Sequence, residues 1–245
     1  MIPLKYFLFK CSPFSFHREC AKTFMAFRKA KTKILLITPN KTKVITPLKT
    51  KYMKKLHLKI ASKGNCLDNV LKIEWPQNDL RIRIRMEYCK HSEIYFHKHC
   101  RGGEFAFILH AANNKVDIGN GVTCTSDFKA LLTSHTLIIG EDSMIASGVR
   151  IWGDGHAVIE KNTNQVLNEP LTPIVIGKHC WLCACTYFTK NAQIPDDCVV
   201  GLSAVVTKKF DEKHAVIAGN PAKIVKTGIS WDRDTPLDYK NKTQK

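Results

Sequence analysis

Residues Ile176–Lys208 read IGKHCWLCACTYFTKNAQIPDDCVVGLSAVVTK, and the spacing of their aliphatic side chains decides the fold. Ile176, Leu182, Phe188, Ile194, Val200 and Val206 recur every six residues. Between them falls a second column of small or short side chains: Cys180, Thr186, Ala192, Cys198 and Ala204. The same register runs upstream through Ile139, Ile145 and Ile151, with Ser143 and Val149 in the second column. A period of six fits neither a helix nor a simple two-residue alternation. It is the pattern of a parallel β-helix built from hexapeptide repeats, each contributing one short strand and one turn. The aliphatic residue points inward and stacks on its counterparts in neighbouring coils, and the small residue leaves room where the backbone bends. Each coil pairs its backbone groups with the next, so stability is close to a nearest-neighbour sum.

Outward from that stretch, the register slips once. Twenty-five residues separate Ile151 from Ile176, where 24 would keep phase. The intervening segment, 152–173, is polar and carries Asn162, Asn164, Asn168 and Pro170. It reads as a loop leaving the coil, and loops on rigid scaffolds are where chemistry is usually placed. From Leu56 to Leu109 short alternating runs predict strands: Leu56/Leu58/Ile60, Ile82/Ile84/Met86, Ile94/Phe96 and Phe105/Phe107/Leu109. The fold class is all-β. Three segments follow: a basic extension over 1–52, a β-helix over 53–209 with its loop at 152–173, and a cap and tail over 210–245. The segment after Lys209 is expected to close one open coil end and residues 53–80 the other.

The chain has 245 residues and a formal net charge of +17, which is unevenly spread. Residues 1–63 hold 16 Lys and Arg against one acid, Glu19, a net of +15. The remaining 22 basic and 20 acidic residues leave the body at +2. A protein-wide nucleic-acid surface would put the excess on the folded body, so no nucleic-acid partner is expected. For residues 1–52 three readings stay open: a flexible basic arm, an element touching an anionic membrane or polymer, or sequence ahead of a native start at Met53. No run approaches the roughly 18 apolar residues of a membrane span, and Lys5, Lys10 and Pro13 interrupt the apolar N-terminus before a signal core forms. A cytoplasmic location is expected. The ten cysteines lack the density of a disulfide scaffold, and Cys180 and Cys198 occupy the small inward column, so neither a disulfide framework nor a metal site is expected.

With Asp154-Gly155-His156 upstream and Gly219-Asn220-Pro221-Ala222-Lys223 downstream, the repeat region resembles the hexapeptide-repeat acyltransferases. Within them it is most similar to the branch that O-acetylates bacterial capsular or lipopolysaccharide sugars, across roughly residues 64–235. The resemblance implies a left-handed parallel β-helix, acetyl-CoA as acyl donor, a carbohydrate acceptor and a homotrimer with sites between subunits. It implies His156 as general base, and a neutral imidazole suits that task near pH 7. Trp181, in the outward place before Leu182, would line the acceptor and donor site. Asp154 would orient His156 or hold the turn. Gly201, Ser203 and Ala204 match the segment whose amides meet the pantetheine arm, although Leu202-Ser203-Ala204 departs from the family's small-Gly-Ser order. Cys183 stands where the family mostly has glycine. Asn220, Pro221 and Lys223 match the closing segment, with Lys223, Lys190 and Lys208 suited to nucleotide phosphates as point charges.

Other bases and other functions remain to be weighed. His135 and His179 follow His156 as candidates, and His97, His99 and His110 follow those. A metal-dependent carbonic-anhydrase-like enzyme needs three convergent histidines, but His135, His156 and His179 are spaced by 21 and 23, neither a whole number of repeats. A solenoid that binds polyanions through the basic arm is the non-enzymatic alternative. Within the transferases, a serine, a nucleotide-linked amino sugar or an antibiotic is the alternative acceptor.

Overall fold

The computed structural model describes residues 33–38, 41–44, 56–74, 77–153, 155–168 and 172–243. Its strands stack into a three-faced prism. The first face carries Val70–Glu74, Glu93–Phe96, Lys115–Ile118, Thr136–Ile139, Ile174–Ile176 and Gln193–Ile194, all in parallel. The second carries Thr123–Cys124, Met144–Ile145, Trp181–Leu182, Val199–Val200 and Val216–Gly219. The third carries Phe128–Thr133, Arg150–Gly153, Tyr187–Thr189 and Val205–Val206. The long strand Arg101–Ala112 turns a corner and pairs on both the second and third faces.

Packing follows the six-residue register. Every member of the aliphatic column from Ile139 to Val206 is buried, and so is every member of the small column from Ser143 to Ala204. In the last coils, partners lie 18 residues apart, as in Trp181 opposite Val199 and Tyr187 opposite Val205. Arg150 and Tyr187, in contrast, are neighbours 37 residues apart. The coil between them therefore carries 19 extra residues, and these are the loop. The excursion starts two residues later than its polar composition suggests, because Trp152 and Gly153 still belong to a strand.

The corners share one backbone device. The residue two places before a face strand adopts positive φ: His99, Asp142, His179, Asp197 and His214 ahead of the second face, with φ of 60, 57, 49, 59 and 55°. Cys185 and Ser203 do so ahead of the third face, where Asp127 stands one place before its strand, and Asn113, Ser134 and Asn191 do so ahead of the first. A narrow coil needs a left-handed residue to turn, and short polar side chains tolerate that region best. Asp, Asn, Ser and His thus recur at corners for a conformational reason.

Inside the corner before the first face runs a polar ladder that the register does not announce. Asn69 Oδ1 accepts the Ser92 N–H at 3.0 Å, Ser92 Oγ accepts that of Asn114 at 3.0 Å, and Asn114 Oδ1 accepts that of His135 at 3.1 Å. All four residues are buried. The equivalent place in the next coil is Pro173, which has no N–H to offer, and the ladder stops at His135.

At the C-terminal end, Val216–Gly219 folds back antiparallel on Ala222–Lys226. At the other end, Lys33–Thr38 from the basic extension pairs in parallel with Val70–Glu74, and Lys41–Val44 pairs antiparallel with it in turn. The only helix among the described residues, Pro236–Thr243, buries no side chain. None there is long and apolar enough to cross a membrane.

Candidate active site

The loop leaves the third face at Gly153 and forms a short antiparallel arm. Ile159 bridges Val166, the Glu160 N–H donates to Gln165 O at 2.9 Å, and the Leu167 N–H donates to Val158 O at 2.7 Å. At the tip, Glu160 Oε2 accepts the N–H groups of Asn162 (3.0 Å) and Thr163 (2.6 Å), and the Thr163 hydroxyl, followed by these amides, holds its carboxyl below the usual carboxylate range. Asn168 clamps the base of the arm: its Oδ1 accepts the Val158 N–H at 3.0 Å, and its Nδ2 donates to His156 O at 2.8 Å. His156 is therefore fixed through its backbone while its ring stands exposed to solvent. The arm also exposes Val158, Ile159, Val166 and Leu167. Asp154 lies outside the described residues.

Two groups from the coil meet the loop root. A Cβ on Gly155 would stand 3.3 Å from Lys190 Nζ, so that ammonium lies against the residue preceding His156. A Cβ on Gly153 would come within 2.8 Å of His135 Cδ2 and of Leu132 Cδ2, and only glycine fits there without displacing them. His135 is 3% exposed and its Nε2 has no hydrogen-bond partner. Burial, followed by the charge of Lys190, pushes its pKa down, so it sits neutral at the end of the ladder. This makes His135 a packing residue under the loop. His97 is similarly engaged, with Asp117 at 3.0 Å and Glu74 at 3.6 Å, and His110 faces Glu87 at 3.6 Å.

Trp181 lies on the second face, opposite Met144 and Val199, and is half-buried. The corner that carries His156, between the third face and the first, is across the triangular section from that face. Around Trp181 the structure gathers His179, a candidate ranked behind His156, together with residues that motif reading left out. His179 Nδ1 and Asp197 Oδ1 are 2.9 Å apart, and His214 Nε2 lies 3.9 Å from the other Asp197 oxygen. The Trp231 ring stacks on His179 at 4.5 Å and 11° and meets the Trp181 ring at 6.0 Å and 41°. Its Nε1 donates to His179 O at 2.7 Å. A lone tryptophan in a polar tail was the available signal for Trp231.

The residues matched to donor binding fall into two groups. Gly201, Ser203 and Ala204 donate their N–H groups inside the chain, to Ile217 O (2.8 Å), Ala184 O (3.1 Å) and Gly201 O (3.1 Å). A Cβ on Gly201 would come 2.9 Å from that of Ala218, and Ala204 is buried, so coil packing accounts for both. Ser203 keeps an exposed hydroxyl at its corner. Asn220, Pro221 and Lys223 are exposed on the closing hairpin, and Lys208 Nζ lies 5.4 Å over the Phe210 ring. Cys183 is half-buried, and its burial raises the thiol pKa. Cys180 points inward with its thiol pushed up to about 12, mainly by burial, while Cys185 is exposed at a corner. Among the described residues no three His, Cys, Asp or Glu side chains gather to hold a metal.

No protein-family model matches the chain. It is 31% identical over 127 residues to polysialic acid O-acetyltransferase of Escherichia coli O1:K1 / APEC, covering 51% of this chain and 41% of that protein. It is 28% identical over 114 residues to galactoside O-acetyltransferase of Escherichia coli strain K12, covering 45% and 53%. The solved structure of the polysialic acid O-acetyltransferase OatWY matches with a TM-score of 0.67 at 22% identity, over 84% of this chain and 94% of that one. The chain folds as a parallel β-helix and is similar in part of its sequence to these O-acetyltransferases. The left-handed parallel β-helix expected from the resemblance is its fold class. The chain spans about half the length of the curated relatives it matches.

Proposed function

We propose that this hexapeptide-repeat protein is an O-acetyltransferase that moves an acetyl group from acetyl-CoA to a hydroxyl of a surface polysaccharide. The observation that carries the reading is the Gly155-His156 turn, held by Asn168 at the base of an arm on a rigid β-helix and flanked by Lys190. Its sequence similarity to a polysialic acid O-acetyltransferase points to the same chemistry. His156 takes the proton of the acceptor hydroxyl as its oxygen attacks the thioester carbonyl. The tetrahedral intermediate collapses with loss of coenzyme A thiolate, which recovers the proton from the imidazolium. Both substrates are bound at once and the acetyl group passes directly between them: the half-buried Cys183 has a raised pKa, Cys180 is buried in the core, and the exposed Cys185 stands at the corner ahead of the third face and not at the loop root.

His156 and Trp181 occupy opposite parts of the triangular section, so a site using both draws them from two copies of the chain. The exposed apolar side chains of the arm fit that arrangement, since an arm reaching a neighbouring copy would bury them. The homotrimer that the resemblance implies would hold three such sites, and gel filtration with light scattering should then give three times the chain mass. Acetyl-CoA-dependent thiol release across polysaccharides and their monosaccharides tests the activity. His156→Ala should lose at least about 100-fold, the low end for a positioned acid–base group. His179→Ala serves as the comparison, because its Asp197 bond makes it the rival base. An unchanged rate in His156→Ala removes that residue from the mechanism.

A further inference from the structure

The C-terminal tail is pinned along one column of corners. The Ile229 N–H donates to His214 O at 2.9 Å, Trp231 Nε1 to His179 O at 2.7 Å, and Arg233 Nη2 to both Asp142 O and Asp142 Oδ1 at 2.8 Å. Arg233 Nη1 reaches Thr123 Oγ1 at 2.8 Å. His214, His179 and Asp142 are the left-handed residues ahead of the second face, so the tail runs back from the last coil across earlier ones. What these anchors achieve locally is to set one aromatic ring against Trp181.

We infer that Trp231 is a positioning residue for Trp181, and that the tail builds one wall of the reaction site. The inference rests on the reading of Trp181 as a residue facing the substrates. Asp197 orients the His179 ring, His179 stacks flat on Trp231, and Arg233 Cζ lies 5.7 Å over the Trp231 ring. Trp231 is thus held by the His179 stack, the Arg233 contact and its Nε1–H bond, and its remaining freedom is small. The Trp181 backbone N–H donates to Cys198 O at 2.9 Å, but its indole has no hydrogen bond among the described residues, and the 6.0 Å, 41° approach of Trp231 limits where the ring can turn. An aromatic pair of this geometry corresponds to a factor of about 2 to 12 in an equilibrium.

Kinetics and spectroscopy together test this. Trp231→Ala should lower kcat/KM about 2- to 12-fold, and Trp231→Phe should recover most of it, since a ring is restored without the indole N–H. The double variant Trp181→Ala/Trp231→Ala should be no slower than Trp181→Ala alone, because the second ring acts only through the first. Near-UV circular dichroism reads the pair without any activity: a coupled-indole signal should vanish equally in Trp181→Ala and Trp231→Ala. Additive losses in the double variant, or wild-type kinetics in Trp231→Ala, overturn the positioning role. A wild-type chain with the coupled signal and no acetyl transfer to any acceptor overturns the functional reading on which the role depends.

Discussion

Replacing Asn114 by alanine probes the polar ladder that carries the loop. Asn114 is fully buried and makes four side-chain bonds: Oδ1 from the His135 N–H at 3.1 Å, Nδ2 to His110 O at 2.9 Å, Nδ2 to Ser92 Oγ at 3.3 Å and a long one from Nδ2 to Cys89 Sγ at 4.0 Å. Each net bond is worth about 0.5–1.5 kcal/mol, and the His135 N–H left behind in the core costs about 1–3 kcal/mol. Allowing for overlap between those terms, the loss should be about 3 kcal/mol. Urea unfolding followed by far-UV circular dichroism measures it. With a slope of roughly 2 kcal/mol per molar urea, the midpoint should fall by about 1.5 M. Protein concentration must be fixed, since assembly adds its own stability. Ser92→Ala removes the acceptor for the Asn114 N–H, so the double variant should lose less than the sum of the singles. A loss below about 1 kcal/mol, or strict additivity, would refute the view that the ladder is one connected unit.

His135→Asn should retain folding and remove part of the acid sensitivity. Its folded pKa lies below the ordinary histidine value, so the unfolded chain binds the proton more readily and stability drains as pH falls below about 6.5. Unfolding midpoints at pH 7.5 and 5.5 should therefore converge in the variant relative to wild type; an unchanged gap assigns the sensitivity elsewhere. Phe188→Ala, at a fully buried place between Ile151 and Val206, should cost about 3–5 kcal/mol by the same urea assay. A cost under about 1 kcal/mol would mean that the inward column is not packed. Thiol labelling read peptide by peptide should modify Cys185 well before Cys180, whose thiol is buried and held near 12. Equal rates would contradict the inward placement of Cys180.

The C-terminal coils were legible because their geometry repeats at an interval the eye can test. Ile176 through Val206 and Cys180 through Ala204 all point inward, as a period of six requires. The polar ladder escaped that reading because Asn69, Ser92, Asn114 and His135 are spaced by 23, 22 and 21 residues, and no fixed period links them. Upstream coils vary in length, and only their pairing reveals which side chains stand above one another. The loop was visible as a broken phase, but its 19-residue size emerged from the alignment of Arg150 with Tyr187.

The candidate site divides along the same line. His156 and Trp181 could be singled out in advance because they belong to short local patterns, where identity and neighbours in the chain are enough. Gly201 and Ala204 also stood out, yet their amides are committed to the coil and their small size is set by packing against neighbouring strands. Trp231 contacts a ring 50 residues earlier in the chain, and Arg233 contacts Asp142, 91 residues away. Repeating local order fixes a solenoid because each coil needs only the next one. A tail folded back along that solenoid chooses its partners by position in space, and one-dimensional spacing holds no record of that choice.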